Sequence, residues 1–239
     1  MQVAEYENME ISRVPRSKEA ARSSYDRLSR WYDAFAGDSE RRLAEIGLQK
    51  LQVKEGEIVL EIGFGTGHAL VALAYLVGQS GKVYGIDLSE GMFRIARDRL
   101  DKAGLLNRVE LRRGDAVRLP FDADFFDRIF MSFTLELFDT PEIPALLGEC
   151  YRVLRNGGRM GVVAMSKREQ PNWPTRLYEW AHRTFPNYVD CRPIPVRQVL
   201  GEAGFHLVDS TALSVWGLPV DVVVAEKQNG AYELVINEF

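Results

Sequence analysis

Residues 59–68, which read Val-Leu-Glu-Ile-Gly-Phe-Gly-Thr-Gly-His, indicate how this chain folds. The aliphatic run from Ile58 to Ile62 lies between Gly56 and Gly63 and predicts a short buried strand. Residues 69–77 are apolar on every side and predict a buried helix. A strand, a glycine turn and a helix let a ligand lie against backbone amides and a helix N-terminus. A tight turn that needs positive φ also explains the glycines, so the pattern alone does not decide.

An acid at the end of the next predicted strand narrows the choice of ligand. Residues 82–86 form a second apolar run, which ends in Asp87. A carboxylate in that place accepts hydrogen bonds from two ribose hydroxyls, which leaves a dinucleotide or an adenosyl sulfonium compound. The dinucleotide fingerprint needs a glycine where His68 stands, whereas the third glycine here is Gly67 and an acid, Glu61, precedes the first. The sequence therefore disfavours a nicotinamide cofactor.

The pattern Glu61-x-Gly63-x-Gly65-x-Gly67 followed by Asp87 resembles the first two motifs of class I S-adenosylmethionine-dependent methyltransferases. The resemblance implies an α/β fold with a doubly wound, seven-stranded, mostly parallel sheet of the Rossmann-like kind and a C-terminal antiparallel hairpin. It implies S-adenosyl-L-methionine as the cofactor. It covers about residues 18–227 and is most specific from Glu61 to Asp87.

The family pattern assigns further cofactor contacts. It implies that Asp115 bonds the adenine amino group, that the amide of Ala116 reaches a ring nitrogen, and that Leu88 and Met92 enclose the adenine. Taken alone, Asp115 is also explained by a turn, and Leu88 and Met92 by core packing. Ser132 is predicted at the end of the fourth strand, where open α/β sheets hold ligands. The predicted cofactor contacts are Tyr25, Tyr32, Glu61, Gly63, Gly65, Gly67, Asp87, Leu88, Met92, Asp115, Ala116 and Ser132.

The N-terminal region is helix-prone and rich in charged and aromatic residues. Its Tyr-Asp pair at Tyr25 recurs seven residues later at Tyr32. The repeat resembles the N-terminal lid of the methyltransferases of ubiquinone and menaquinone biosynthesis, and of phosphatidylethanolamine methyltransferases. The resemblance implies that Tyr25 and Tyr32 close over the methionine end of the cofactor. Simple packing of a helix onto the domain is the alternative explanation.

The chain is predicted to be a single methyltransferase domain over residues 1–239. Within it we expect N-terminal lid helices at 18–51, a cofactor-binding core at 52–165, a substrate-side insertion at 166–194, and a C-terminal helix and hairpin at 195–239. The insertion is too long for a plain connection and holds several aromatic rings and arginines. His182 within it is the candidate catalytic base, although a lone histidine is more often structural.

Two further features are predicted from local signals. Thr140 followed by Pro141 predicts a helix with Thr140 as its cap, and residues 159–165 predict the fifth strand. Glu136 stands among apolar residues, where an acid is rare unless it is paired. Its role is open between contact with the sulfonium or the substrate and a salt bridge to an arginine.

Composition bounds the class of protein. The 239 residues are 46% hydrophobic and 27% charged, as in ordinary soluble globular proteins. The net charge of −4 gives no electrostatic case for nucleic acid, and the two cysteines suit a reducing cytoplasm. We expect a cytoplasmic protein without a transmembrane segment or a metal site, either a monomer or a homodimer.

Two functions from different classes remain open at this stage. The first is methyl transfer to a small-molecule or lipid-like acceptor by in-line displacement. The second is a non-catalytic S-adenosylmethionine-binding module or regulator. The aromatic insertion favours the first, because it offers side chains that can hold a substrate.

Overall fold

The computed structural model of the protein describes residues 11, 13–14, 19, 23, 26, 37–167, 192–215 and 217–228. The described strands form one seven-stranded sheet in the order β3-β2-β1-β4-β5-β7-β6. They are β1 Ile58–Ile62, β2 Lys82–Asp87, β3 Val109–Arg113, β4 Phe126–Ser132, β5 Leu154–Met165, β6 His206–Val215 and β7 Leu218–Glu226. Neighbouring strands from β1 to β5 pair in parallel, whereas β7 runs antiparallel to β5 and β6. The predicted doubly wound, mostly parallel sheet with a C-terminal antiparallel hairpin is confirmed.

Helices cover both faces of this sheet. The described α-helices are α1 Gly37–Leu51, α2 His68–Leu76, α3 Glu90–Lys102, α4 Ile143–Val153 and α5 Val196–Glu202. Side chains alternate along a strand, so Val59 and Phe130 pack against α1, α2 and α3 on one face. Leu60 and Ile129 face the opposite way and join the cluster formed with α4 and α5. The strands β1, β4 and β7 are thus largely buried between two helical layers, as their apolar sequences require.

Two predicted boundaries differ from the structure. The cap of the predicted helix start is Asp139, whose Oδ1 accepts the Thr140 amide at 2.9 Å, so Thr140 as the cap is wrong. A 3₁₀ turn, Thr140–Glu142, precedes α4. The strand β5 begins at Leu154, directly after α4, because Leu154 pairs with Phe126 before the register shifts. Local signals alone do not show such a register shift.

The end of β7 is fixed at the edge of the sheet where the parallel strands begin. The Lys227 amide donates to the Gly158 carbonyl at 3.0 Å, and the Gly157 amide donates to the Lys227 carbonyl at 2.8 Å. The Lys227 ammonium donates to the Leu154 carbonyl and to Asp124 Oδ1, each at 2.7 Å. Because β7 runs against β5, the chain reaches this edge at Lys227.

Parts of the predicted organisation lie outside the described residues. These are most of residues 18–36 of the lid, residues 168–191 of the insertion, and the residues beyond 228. The described part of the lid region is α1, whose Leu48 and Leu51 are buried against the sheet. Among the helices that the structure describes, none has the length and apolar character needed to cross a membrane.

Candidate functional site

The predicted cofactor contacts that the structure describes lie at one edge of the sheet. Glu61 is the second-last residue of β1, and Asp87 is the last residue of β2. Asp115 follows β3, and Ser132 is the last residue of β4. These strands are parallel neighbours, so their carboxyl ends meet at the same edge. The Gly114 amide donates to the Asp87 carbonyl at 3.0 Å, which brings Asp115 next to Asp87. Open α/β sheets hold their ligands at this edge, where the strand order reverses.

The three glycines after β1 have different surroundings. All have positive φ: 70° at Gly63, 50° at Gly65 and 82° at Gly67. A Cβ at Gly63 would lie 2.3 Å from Thr134 Cγ2, and one at Gly67 would lie 2.8 Å from Ala96 Cβ. A Cβ at Gly65 would have no atom of the described residues within 4 Å. Gly63 and Gly67 therefore allow close packing within the protein, whereas Gly65 faces open space.

The Asp87 carboxylate accepts hydrogen bonds from the glycine loop and from the residue before α3. Its Oδ2 accepts the Gly65 amide and its Oδ1 accepts the Ser89 amide, each at 2.9 Å. Burial, opposed by these backbone hydrogen bonds and assisted by the charge of Asp26, raises the pKa of Asp87 to about 6. The carboxylate is thus held in place at the base of the open space beside Gly65.

Glu61 is a buried acid beside Asp87. Its side chain is 3% exposed, and Oε2 has no hydrogen-bond partner among the described residues. Burial, and then the charge of Asp87, raise its pKa well above the usual value for a glutamate. A buried carboxylate oxygen without a partner costs free energy. The site therefore offers acceptor capacity that a ligand carrying hydroxyl or amine donors can use.

The residues predicted to surround the adenine are partly buried or hydrogen-bonded within the protein. Met92 is 2% exposed, and its amide donates to the Ser89 hydroxyl at 3.1 Å. Asp115 Oδ1 accepts the Val117 amide at 3.1 Å, while Ala116 is 4% exposed. Leu88 is half-buried. Their contacts with an adenine stay predictions.

Three predicted site residues lie outside the described part of the chain. They are the lid residues Tyr25 and Tyr32 and the candidate base His182. Their roles stay predictions.

The structure adds two residues that the sequence did not single out as site residues. Thr134 is buried, and its hydroxyl donates to the Ser132 carbonyl at 3.0 Å and to the Gly63 carbonyl at 3.3 Å. Asp26 accepts hydrogen bonds from the Ser89 hydroxyl and the Gly91 amide, close to Asp87. The available signals were a threonine just after the fourth strand and the acid of a Tyr-Asp pair.

Glu136 helps to join the ends of β4 and β5. It is fully buried, and its Oε1 accepts the Met165 amide at 3.2 Å. Arg192 is also fully buried, and its Nε donates to the Glu136 carbonyl at 3.3 Å. Burial lowers the pKa of Arg192 to about 10, while Asp139 and Glu136 oppose that shift by their charges. Arg192 thus contacts the backbone of Glu136, and both predicted roles of the Glu136 carboxylate stay predictions.

The central part of the chain is similar to proteins of a known family. Residues 59–158 match the family described as methyltransferase domain. A demethylmenaquinone methyltransferase of Lactobacillus johnsonii is 34% identical over 142 residues, which are 59% of this chain and 56% of that protein. The chain spans about half the length of the curated relatives it matches.

Solved structures resemble almost the whole chain. A SAM-dependent methyltransferase from Aquifex aeolicus has a TM-score of 0.61 and 27% identity, over 86% of this chain and 97% of that one. The [4+2]-cyclase SpnF has a TM-score of 0.72 and 20% identity, over 92% of this chain and all of that one. At 20% identity the second likeness concerns the fold alone. The matched residues 59–158 include every predicted cofactor contact that the structure describes.

Proposed function

Because residues 59–158 match the methyltransferase domain family and the fold resembles that of a SAM-dependent methyltransferase, we propose that this protein is a methyltransferase. It transfers a methyl group from S-adenosylmethionine to a small-molecule or lipid-like acceptor. The observation that carries the proposal is the pair of neighbouring acids, Glu61 and Asp87, beside the open space at Gly65.

The residues at this edge fit an adenosyl sulfonium cofactor. Asp87 is a fixed acceptor of the kind that binds two ribose hydroxyls. Glu61 Oε2 lacks a partner among the described residues, and an ammonium group supplies the donor it needs. Gly65 leaves room for a ligand to approach the backbone. Asp115 and Ala116 follow β3 on the side where the adenine is expected.

The cofactor supplies a methyl group already activated by a sulfonium centre. The protein then has to hold the acceptor in line with that methyl group and exclude water, and such positioning lowers the barrier strongly. A catalytic side chain is needed only where the acceptor atom must lose a proton, as with a phenol or an enol carbon. His182 is the candidate for that role. If the His182→Ala enzyme keeps the wild-type pH–rate profile, His182 is not the catalytic base.

A quinone-like ring is the acceptor that the relatives favour. The curated relatives are named demethylmenaquinone methyltransferases, and the Tyr-Asp repeat in the N-terminal region resembles the lid of such enzymes. The insertion at residues 166–194 supplies aromatic and arginine side chains, which suit a planar or anionic molecule. Tyr25 and Tyr32 are proposed to close over the methionine end of the cofactor.

Ligand-dependent unfolding tests the proposed function. At a hundredfold excess over Kd, a ligand stabilises the folded state by about 2.7 kcal/mol, which for a chain of this size raises Tm by roughly 5–10 °C. S-adenosylhomocysteine should produce this shift, whereas NAD should not. No shift with S-adenosylhomocysteine would contradict the proposal. A shift without methyl transfer to quinone or phenol acceptors would instead identify a binding module.

The pKa of Asp87 predicts how cofactor binding depends on pH. The ribose hydroxyls need the ionised carboxylate, and the pKa of Asp87 is about 6 instead of 3.8. Affinity for S-adenosylhomocysteine should therefore fall about tenfold per pH unit below pH 6 and be constant well above it. Calorimetric titrations between pH 5 and 8 measure this, and binding near pH 6 should release protons.

The raised pKa of Asp87 makes the stability of the ligand-free protein depend on pH in the opposite direction to cofactor affinity. Because the folded pKa lies above the unfolded one, the stabilisation present below pH 3.8 is lost as the pH rises through about 6. Protonation of Asp87 therefore stabilises the ligand-free fold, and weak binding at pH 5 cannot be attributed to unfolding caused by that protonation. An affinity that is flat from pH 5 to 8 would contradict the assignment of Asp87 to the ribose.

A further inference from the structure

The acid Asp26 connects the N-terminal segment, here residues 11–26 as far as they are described, to the cofactor site. Its Oδ1 accepts the Ser89 hydroxyl at 2.6 Å and the Gly91 amide at 2.8 Å. Ser89 is 1% exposed, and its amide donates to Asp87 Oδ1 at 2.9 Å. Ser89 therefore lies between the two carboxylates and is hydrogen-bonded to each of them. The position of Asp87 and the attachment of the N-terminal segment depend on the same serine.

A second contact fixes the N-terminal segment on the other side of β1. Asp139 accepts the Val14 amide at 2.9 Å and forms an ion pair with Arg13, with 2.7 Å between Nη2 and Oδ2. Asp139 follows β4, whereas Ser89 follows β2, and β1 lies between these strands. Val14 and Asp26 thus have fixed contacts on either side of the strand that leads into the glycine loop.

The two contacts differ in strength. The Arg13 side chain is 70% exposed, so solvent weakens its pair with Asp139. The Asp26 contacts are charge-assisted hydrogen bonds, one of them to a buried hydroxyl, and such bonds are stronger than neutral ones. The Asp26 contacts are therefore the stronger of the two and the ones expected to affect the position of Asp87.

The negative charge of Asp26 acts on Asp87 and raises its pKa. Asp87 is already close to Glu61 on β1, and Asp26 adds a further negative charge from the N-terminal segment. Arg113 lies opposite Asp87 in the backbone pairing of β2 and β3, but its guanidinium forms an ion pair with Glu90, at 2.7 Å. A neutral asparagine would accept the same two hydrogen bonds without repelling Asp87. The acid thus brings an electrostatic effect that capping alone does not need.

We propose that Asp26 is a positioning residue of the cofactor site, which ties the N-terminal segment to Ser89 and thereby couples attachment of that segment to the state of Asp87. The inference rests on the proposed function, since it takes Asp87 to be the ribose ligand. When the segment is attached, Ser89 holds Asp87 in place for the cofactor. When the tie is lost, Ser89 loses its outer partner and Asp87 loses the orientation that Ser89 gives it.

Two substitutions separate the tie from the charge. Asp26→Ala removes both, whereas Asp26→Asn keeps the acceptor and removes only the charge. Glu19→Gln is the control, because Glu19 is an exposed acid of the same segment. The measurements are hydrogen exchange at the Gly91 amide without ligand, and calorimetric affinity for S-adenosylhomocysteine from pH 5 to 8.

We expect Asp26→Ala to speed exchange at Gly91 and to weaken binding at pH 8 about tenfold, the effect of losing a charge-assisted hydrogen bond. Asp26→Asn should keep slow exchange while the midpoint of the pH dependence moves to lower pH, since Asp87 loses a negative neighbour. Glu19→Gln should match the wild type in each measurement.

The other outcomes overturn the inference at different points. Wild-type exchange at Gly91 in Asp26→Ala would show that the tie is absent. Faster exchange with unchanged affinity and midpoint would reduce Asp26 to a structural cap. If the wild-type protein binds no S-adenosylhomocysteine, the proposed function and the coupling to Asp87 fail together, and exchange at Gly91 still decides whether the tie exists.

Discussion

Replacing Asp87 with asparagine is expected to weaken the binding of S-adenosylhomocysteine more than a hundredfold, or about 3 kcal/mol, in a protein that stays folded. As the proposed ribose ligand, the carboxylate would accept from both ribose hydroxyls, and hydrogen bonds to a charged acceptor are about twice as strong as neutral ones. The asparagine has one acceptor oxygen, which the Gly65 and Ser89 amides already compete for. Its NH₂ group cannot accept a hydroxyl hydrogen.

The folded state should not suffer to the same extent. Burial raises the pKa of Asp87 to about 6, so at pH 8 the ligand-free protein carries the cost of an ionised, buried group. The neutral amide avoids that cost, which offsets the backbone hydrogen bond that its NH₂ group cannot accept from Gly65 or Ser89, and we expect the ligand-free Tm at pH 8 to be little changed. The control is Asp98→Asn, an exposed acid on α3 whose carboxylate lies 2.6 Å from the Lys102 ammonium. Unchanged affinity in folded Asp87→Asn would exclude Asp87 as the ribose ligand.

Replacing Gly65 with alanine should reduce cofactor affinity by about 10- to 100-fold, since an added methyl group in a fitted contact costs about 1–3 kcal/mol. Valine at the same position should abolish measurable binding. The new Cβ has no atom of the described residues within 4 Å, so the substitution fills space that belongs to the ligand. The measurement is calorimetric affinity for S-adenosylhomocysteine beside the ligand-free Tm.

Gly104 provides a matched control for this experiment. It also has positive φ, 69° against 50° at Gly65, and its added Cβ likewise meets nothing within 4 Å among the described residues. The backbone strain of a non-glycine residue in this region is about 1–2 kcal/mol at either position. Gly104→Ala should therefore lose similar stability and keep its affinity. Equal affinity in the two variants would show that no ligand lies against Gly65.

The sheet and the edge that holds the site could be predicted because their signals are local. Glu61, Asp87 and Ser132 each lie at or near the end of a predicted strand, Asp115 follows another, and a parallel sheet brings such strand ends together. The run Ile58–Ile62 is the strand that the sequence predicts, residue for residue. Apolar runs between glycines leave little choice of structure.

Contacts between distant residues could not be predicted in this way. The three glycines look equivalent in sequence, and only the positions of Thr134 and Ala96 show that Gly65 alone is open. Asp26 is visible as part of a Tyr-Asp pair, yet Ser89 lies 63 positions away. The start of β5 was misplaced for the same reason, since pairing with Phe126 sets it.

The anchoring of Lys227 determines where the protein can be attached to something else. The Lys227 ammonium is held by the Leu154 carbonyl and Asp124, at the edge of the sheet where the parallel strands begin. Glu61, Gly65 and Asp87 lie at the opposite edge. A fluorescent protein, an affinity tag or a sensor surface joined directly after Gln228 is thus joined at the edge far from the proposed cofactor site. One joined directly before Ile11 is joined beside Thr140, whose hydroxyl donates to the Ile11 carbonyl at 3.4 Å.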